Sequence, residues 1–418
     1  MKIAVIGSGI SGLSAAWLLH KQHDVTLYEA AGYLGGHTHT VDVELDGYSH
    51  PVDTGFLVYN DLTYPNLRRL FSLLGVETHA TEMTFSVSLP ESDLEWAGAS
   101  LNTLFAQRRN LVRLYYWRML AEILRFNRNA QDLLIWSEQR RVSLGHMLDL
   151  EGYSEAFRNG YLLPMAAAIW SSSPSEILDF PASTFLRFCL NHRLLQIADR
   201  PAWRSLVGGG REYVKRLAEP LQVRLGHAVR SVTRHAEAAR VVTDQAVEDY
   251  DAVIFATHAP DTLRILEDAS DMEQSLLGAF SYQPNTAILH CDTRFLPHRP
   301  GLWSAWNYRS TRDEHSPVCV TYLLNRLQRL PFESPVMVTL NPPEQKQPER
   351  QLGLYHYDHP VFDQRAIDAQ SRLADIQGRN RVWYCGAWSG YGFHEDGLKS
   401  ALRIIPDFGV EAPWQAVL

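Results

Sequence analysis

Cysteine is scarce: four in 418 residues, at 189, 291, 319 and 385, with no CxxC pair and no finger-like Cys/His spacing. Dithiol redox chemistry needs two close cysteines early in the chain, and none precedes Cys189, so buried free thiols are the expectation. No segment approaches the roughly 18 consecutive apolar residues of a membrane-spanning helix, and no charged-then-apolar leader precedes the first strand. We therefore expect a cytoplasmic protein. Basic charge is also short: 39 Lys and Arg against 47 Asp and Glu leave a net charge of −8. That balance argues against a nucleic-acid partner, because neutralising phosphates needs clustered Lys and Arg on a basic domain, and no such partner is expected. Internal repeats and low-complexity tracts are absent as well.

What is present is a chain long enough for two domains, with an ordinary 45% apolar and 21% charged composition. Residues 2–6 form a short apolar run that ends in Gly7-Ser8-Gly9-Ile10-Ser11-Gly12, and Leu13–Leu19 continues with helical composition. A second strand, His23–Glu29, closes a βαβ unit on a carboxylate. In this GxGxxG the first glycine permits a tight turn, the second admits a pyrophosphate to the backbone, and the third lets helix pack on strand. Glu29 stands where a carboxylate accepts the ribose hydroxyls of a dinucleotide, which disfavours a 2′-phosphate and hence NADP.

Further along, 101–136 contains no Pro or Gly and predicts one or two long helices. Gly208-Gly209-Gly210 marks a loop, followed by a helix over 211–217. Strands are expected over 222–233, 239–243, 250–256 and 381–385, and a last helix over 397–404.

The segment Glu29-Ala30-Ala31-Gly32-Tyr33-Leu34-Gly35-Gly36-His37-Thr38 resembles the pattern after the ribose carboxylate in flavin amine oxidases and phytoene-desaturase-like enzymes. Tyr384 through Gly397, with Gly386-Ala387-Trp388-Ser389-Gly390-Tyr391-Gly392-Phe393-His394-Glu395-Asp396, resembles the closing motif of the same superfamily. The resemblance is nearest to bacterial proteins described as predicted NAD/FAD-binding oxidoreductases. It implies an α/β fold with a discontinuous Rossmann-type FAD-binding domain (1–60, 203–260 and 376–418) and an inserted α+β substrate domain (61–202 and 261–375). It also implies dissociable, non-covalent FAD. The implied cofactor contacts are Gly7, Ser8, Gly9, Ile10, Ser11, Gly12, Glu29, Ala30, Gly35, Gly36, His37, Thr38, Asp53, Thr54, Gly55, Phe56, Val229, Ala256, Gly386, Ala387, His394, Glu395, Gly397 and Leu398. Trp388, Tyr391 and Phe393 become candidate aromatic walls near the ring, with His394 and Glu395 where the last helix meets the flavin. No catalytic residue beyond the flavin is assigned.

Three departures shape the functional expectation. Most relatives carry Arg where this chain has His37. A lysine near flavin N5 is typical of the amine oxidases, yet no lysine occurs between Lys215 and Lys346, and Thr286 takes that place. No second GxGxxG exists for a nicotinamide. The resemblance thus implies dehydrogenation of a hydrophobic substrate such as an acyl chain or isoprenoid by hydride transfer to flavin N5, with oxygen or a quinone as acceptor. The alternatives are a flavin-dependent amine oxidase and a non-enzymatic flavin-binding module.

Weaker signals have plainer readings. His37 and His39 lack a third metal partner, and no metal is expected. His394-Glu395 begins like HExxH, but position 398 is Leu. Tyr355–Pro360 offers either a substrate-side base or a surface loop. Arg109, Arg113, Arg118, Arg125 and Arg128 share about half a helical wheel with Leu111, Leu114, Trp117, Leu120, Ile123 and Leu124 interleaved. We read that face as a solvated side of a packed helix, with peripheral membrane contact as the alternative.

Overall fold

A computed structural model describes residues 1–196, 201–310 and 318–418. Residues 197–200 and 311–317, both inside the expected substrate segments, lie outside the described residues.

Lys2–Ile6 forms the middle of a five-stranded parallel sheet. Its neighbours are Asp24–Glu29 and Ala252–Phe255, with Gln222–Leu225 and Val382–Tyr384 at the edges. Parallel strands buried on both faces are apolar at nearly every position, and the two faces feed separate cores. Ile3, Val5, Leu27 and Ile254 pack with the helix Ile10–Leu19 on one side. Ala4, Ile6, Val253 and Phe255 pack on the other. The helix Pro65–Leu73 joins the first core through Leu67, Leu70 and Phe71.

A seven-stranded mixed sheet stands apart, ordered Gln351–Val361, Ser281–His290, Met337–Leu340, Cys319–Leu323, Trp306–Arg309, Phe85–Leu89 and Leu94–Ala97. Only the pairing of Trp306–Arg309 with Phe85–Leu89 is parallel. Against it lies a helical layer whose core gathers Tyr116, Met119, Phe126, Phe157, Trp170, Phe185 and Phe188.

The long helix runs Leu114–Arg140, preceded by a turn at Leu101–Leu104 and a 3-10 turn at Arg108–Val112. The break falls at Arg113, which is extended (φ −91°, ψ 112°). Arg109 and Leu111 therefore lie off the helix, and Leu120 and Ile123 pack partly buried on the core, so the single wheel read from the sequence divides into two pieces. The last helix is His394–Ile404, beginning three residues before the expected start, because Asp396 Oδ2 accepts the Phe393 N–H at 3.0 Å and organises the first turn.

Candidate active site

At the end of the first strand the glycine spacing is a steric requirement. Gly7 has φ +103°, and a Cβ there would stand 2.6 Å from the Ala256 carbonyl oxygen. A Cβ on Gly12 would lie 1.9 Å from the Gly7 carbonyl oxygen. Gly9 is different: a Cβ would meet nothing within 4 Å, so its face is open to the cavity. Gly9 also caps the helix Ile10–Leu19 without a side-chain bond, leaving first-turn N–H groups for an anion. Glu29 is pre-oriented, since its Oε2 accepts the Ser8 N–H (2.9 Å) and hydroxyl (2.5 Å) and its Oε1 accepts the Ala31 N–H (2.8 Å).

From here a cavity of about 690 Å³ extends to the seven-stranded sheet, within the range of sites that enclose sizeable ligands. It is lined by Gly7, Ser8, Gly9, Ile10, Ser11, Glu29, Ala30, Gly35, Gly36, His37, Thr54, Gly55, Phe56, Val229, Ala256, Gly386, Ala387, Trp388, Tyr391, Phe393 and His394.

Six of the expected contacts stand behind that lining. Gly12 and Gly397 bring the first and last helices together; a Cβ on Gly397 would come 2.7 Å from Ile10 Cγ2. Thr38 joins the Tyr213 hydroxyl to His394 Nε2, the latter at 2.7 Å. Asp53 Oδ1 accepts from the Thr40 hydroxyl (2.5 Å) and the Gly210 N–H (2.8 Å), holding the Gly208–Gly210 loop, and burial pushes its carboxyl up to about 6. Glu395 turns away from the cavity to accept the N–H groups of Asn66 (3.1 Å) and Leu67 (2.9 Å), capping the helix Pro65–Leu73, and Leu398 is core.

The middle of the cavity is rich in histidine. The His37 ring centroid lies 5.2 Å from Tyr357, 5.4 Å from His359 and 6.3 Å from His258. Burial, followed by repulsion from His359, His258 and His394, holds His37 well below its ordinary pKa, so it is neutral near pH 7. His394 stacks on Phe56 at 3.7 Å and is held down to about 3 by burial. His39 stacks on Tyr33, away from any metal arrangement. Among the described residues no group of three or more His, Cys, Asp or Glu side chains could hold a metal ion.

The far wall comprises residues that sequence reasoning did not single out. Ile169, Trp170 and Ser171 come from a helix end, and Trp203, Trp306, Tyr322 and Leu340 from strands. Trp306 and Tyr322 are cross-strand partners in T-shaped contact at 5.4 Å. The Nε1 groups of Trp170 and Trp306 are buried with no protein acceptor. Tyr355–Pro360 is no surface loop: it belongs to the strand Gln351–Val361, with Tyr357, Asp358, His359 and Pro360 on the cavity. Thr286 does not line the cavity; its strand pairs it with His356, and its N–H donates to Asn341 Oδ1. Period-2 spacing of aromatics in 306–308 and 355–357 was the available signal for these strands.

An open glycine face, free helix-terminal donors and a positioned ribose carboxylate fit a dinucleotide, and the long cavity continuing past them fits one that ends in an isoalloxazine ring. These features define an FAD-dependent oxidoreductase. The chain matches the family described as "Flavin containing amine oxidoreductase" over residues 10–330 and belongs to it. The fold is shared with putrescine oxidase bound to putrescine (16% identity, TM-score 0.70, 98% of this chain and 99% of that one). It is shared too with cyclohexylamine oxidase from Brevibacterium oxydans (15%, 0.70, 98% and 99%). A third similar structure is the fatty acid isomerase of P. acnes that produces CLA (15%, 0.68, 97% and 98%). No curated protein matches the chain in sequence.

Proposed function

We propose that this flavoenzyme dehydrogenates an apolar substrate such as an acyl chain or isoprenoid, held between the flavin and the Trp306 wall. The observation that carries the reading is the composition of that wall: Ile169, Trp170, Trp203, Trp306, Tyr322, Leu340 and Phe362. Among the described lining residues there is no lysine, and the carboxylates are Glu29, Asp261 and Asp358. Glu29 belongs to the dinucleotide turn, and Asp261 and Asp358 act on His258. A cationic substrate desolvated at the aromatic wall would therefore lack a carboxylate partner there. Bound FAD supplies the two-electron acceptor, and oxygen or a quinone then takes up the electrons.

The chain's own contribution is to exclude water with aromatic side chains, to hold Phe56 and His394 stacked beside the last helix's N-terminus, and to place the substrate carbon. The ring surfaces of Trp170 and Trp306 suit the apolar body of such a molecule. The neighbouring fatty acid isomerase acts on a fatty acid in the same fold, which supports the acyl reading by analogy. The four cysteines are buried and stand outside the cavity lining, which supports dissociable FAD.

A second reading, amine oxidation, is favoured by the T-shaped Trp306–Tyr322 pair, whose faces suit an alkylammonium through cation–π attraction. Anaerobic titration of the yellow protein separates the two. Bleaching of the visible flavin bands by free fatty acids or isoprenoid extract, with amines inert, is the expected result. Bleaching by amines alone overturns the apolar-substrate reading.

A further inference from the structure

Residues 98–131 hold six arginines and a single carboxylate, Glu122, in a chain whose net charge is −8. Glu122 is buried and occupied, accepting from Arg118 Nε (3.1 Å) and the Ser154 N–H (3.1 Å). Outward from the same stretch stands an apolar knob. Val112 is 83% and Leu114 86% exposed, flanked by exposed Leu111, Tyr115 and Trp117.

The exposure follows from the backbone. The 3-10 turn ends at Val112, Arg113 is extended, and the helix begins at Leu114, so the chain projects its side chains outward just where it changes direction. The knob is also braced. Trp117 Nε1 donates to the Leu111 carbonyl (2.9 Å), Arg113 Nη1 donates to the Tyr115 hydroxyl (2.9 Å), and the inner face is anchored by fully buried Tyr116, Met119 and Phe126. A rigid, exposed apolar surface of this kind calls for a cover.

We propose that this knob docks on an anionic lipid surface, with the Leu111–Trp117 side chains entering the interface and the arginines engaging headgroups. Charge decides the occupant. Of the six arginines, Arg109 pairs with Asp93 and Arg118 with Glu122. In a symmetric pairing of two copies the patch would face itself, setting the remaining Arg108, Arg113, Arg125 and Arg128 against their like, whereas anionic headgroups complement them. Aliphatic side chains at the tip with Trp and Tyr beside them match the depth profile of a bilayer interface. Among the described residues no helix is long and apolar enough to cross a membrane, so the contact is peripheral. The helix behind the knob packs on Ala182–Asn191, in the core that includes Trp170 of the cavity wall, so the docked face and the substrate end share one rigid layer.

Flotation of the flavin-loaded protein with vesicles tests this without turnover, so it stands or falls apart from the substrate reading. Vesicles of equal phosphatidylglycerol and phosphatidylcholine are expected to bind at least tenfold more protein than phosphatidylcholine alone, with binding weakened by salt. Val112→Glu with Leu114→Glu should cut that binding at least tenfold while the flavin spectrum is unchanged. Arg108→Gln with Arg128→Gln should reduce it while leaving the melting temperature intact. Equal binding to both vesicles, no binding, or indifference to the Val112/Leu114 pair overturns the proposal. So does sedimentation showing that the same pair abolishes self-association.

Discussion

At the Glu29 end the cavity wall is largely backbone: Gly7, Gly9, Gly35, Gly36 and Gly386 bring main chain to the surface. At the Trp306 end it is side chain, with Trp170, Trp203, Trp306 and Tyr322 filling the wall. A dinucleotide is a constant shape carrying a charged middle, and main-chain N–H groups recognise it without regard to side-chain identity. A substrate varies, and only side chains can vary with it. One end is therefore intolerant of added atoms, while the other is open to exchange.

The sharpest break of that contrast is Gly12→Ala. With its Cβ 1.9 Å from the Gly7 carbonyl oxygen, the variant should lose on the order of 3 kcal/mol and purify colourless. A visible spectrum and a melting curve check both, and a yellow protein of unaltered melting temperature would show that the turn can yield.

Acid should separate the two regions next. His290 and His359, in the seven-stranded sheet, are each held down to about 4 by burial. The unfolded chain binds protons near pH 6.5 that these folded histidines do not. Their contribution is present above that pH and is lost as pH falls toward 4, on the order of 1.4 kcal/mol per histidine per pH unit. Asp53, pushed up to about 6 beside the Gly210 loop, has the opposite sign: the folded form keeps its proton to higher pH, so its contribution is lost as pH rises through about 6. In the apoprotein, hydrogen exchange corrected for intrinsic rate should show Ser281–His290, Gln351–Val361 and the His394–Ile404 helix, whose His394 is held down to about 3, opening at pH 5 before the strand Lys2–Ile6 does. Uniform opening would deny the distinction.

His37→Arg places a permanent cation where burial keeps the imidazole neutral and should tighten FAD about tenfold at pH 7, about 1.4 kcal/mol, read by quenching of flavin fluorescence. Unchanged or weaker affinity would mean that position 37 does not face the diphosphate. Smallest is Trp306→Phe, which keeps an aromatic ring but thins the apolar wall beside Tyr322: KM for the apolar substrate should rise several-fold with FAD affinity intact. A change in FAD affinity instead would join the two ends.

The same contrast explains what could be read beforehand. Gly7, Gly9, Gly12 and Glu29 were legible because a backbone constraint permits few residues and their spacing is local. The seven-stranded sheet was not, because Phe85–Leu89 finds Trp306–Arg309 across more than two hundred positions and no local pattern announces that pairing. Glu395 was expected at the flavin, yet the helix starts at His394 and its turn aims residue 395 at Asn66 and Leu67. A shift of helix phase by one residue rotates a side chain by about 100°. The histidines at 258 and 359 meet His37 only through three-dimensional closure.

The packing of Gly397 against Ile10 has a consequence for biosynthesis. The glycine turn leaves the ribosome about 380 residues ahead of the helix that closes it. At roughly 5–20 residues per second the nascent turn waits tens of seconds for its opposite wall. Retention of the cofactor thereby waits for the His394–Ile404 helix, and flavin capture reports that this helix has been made.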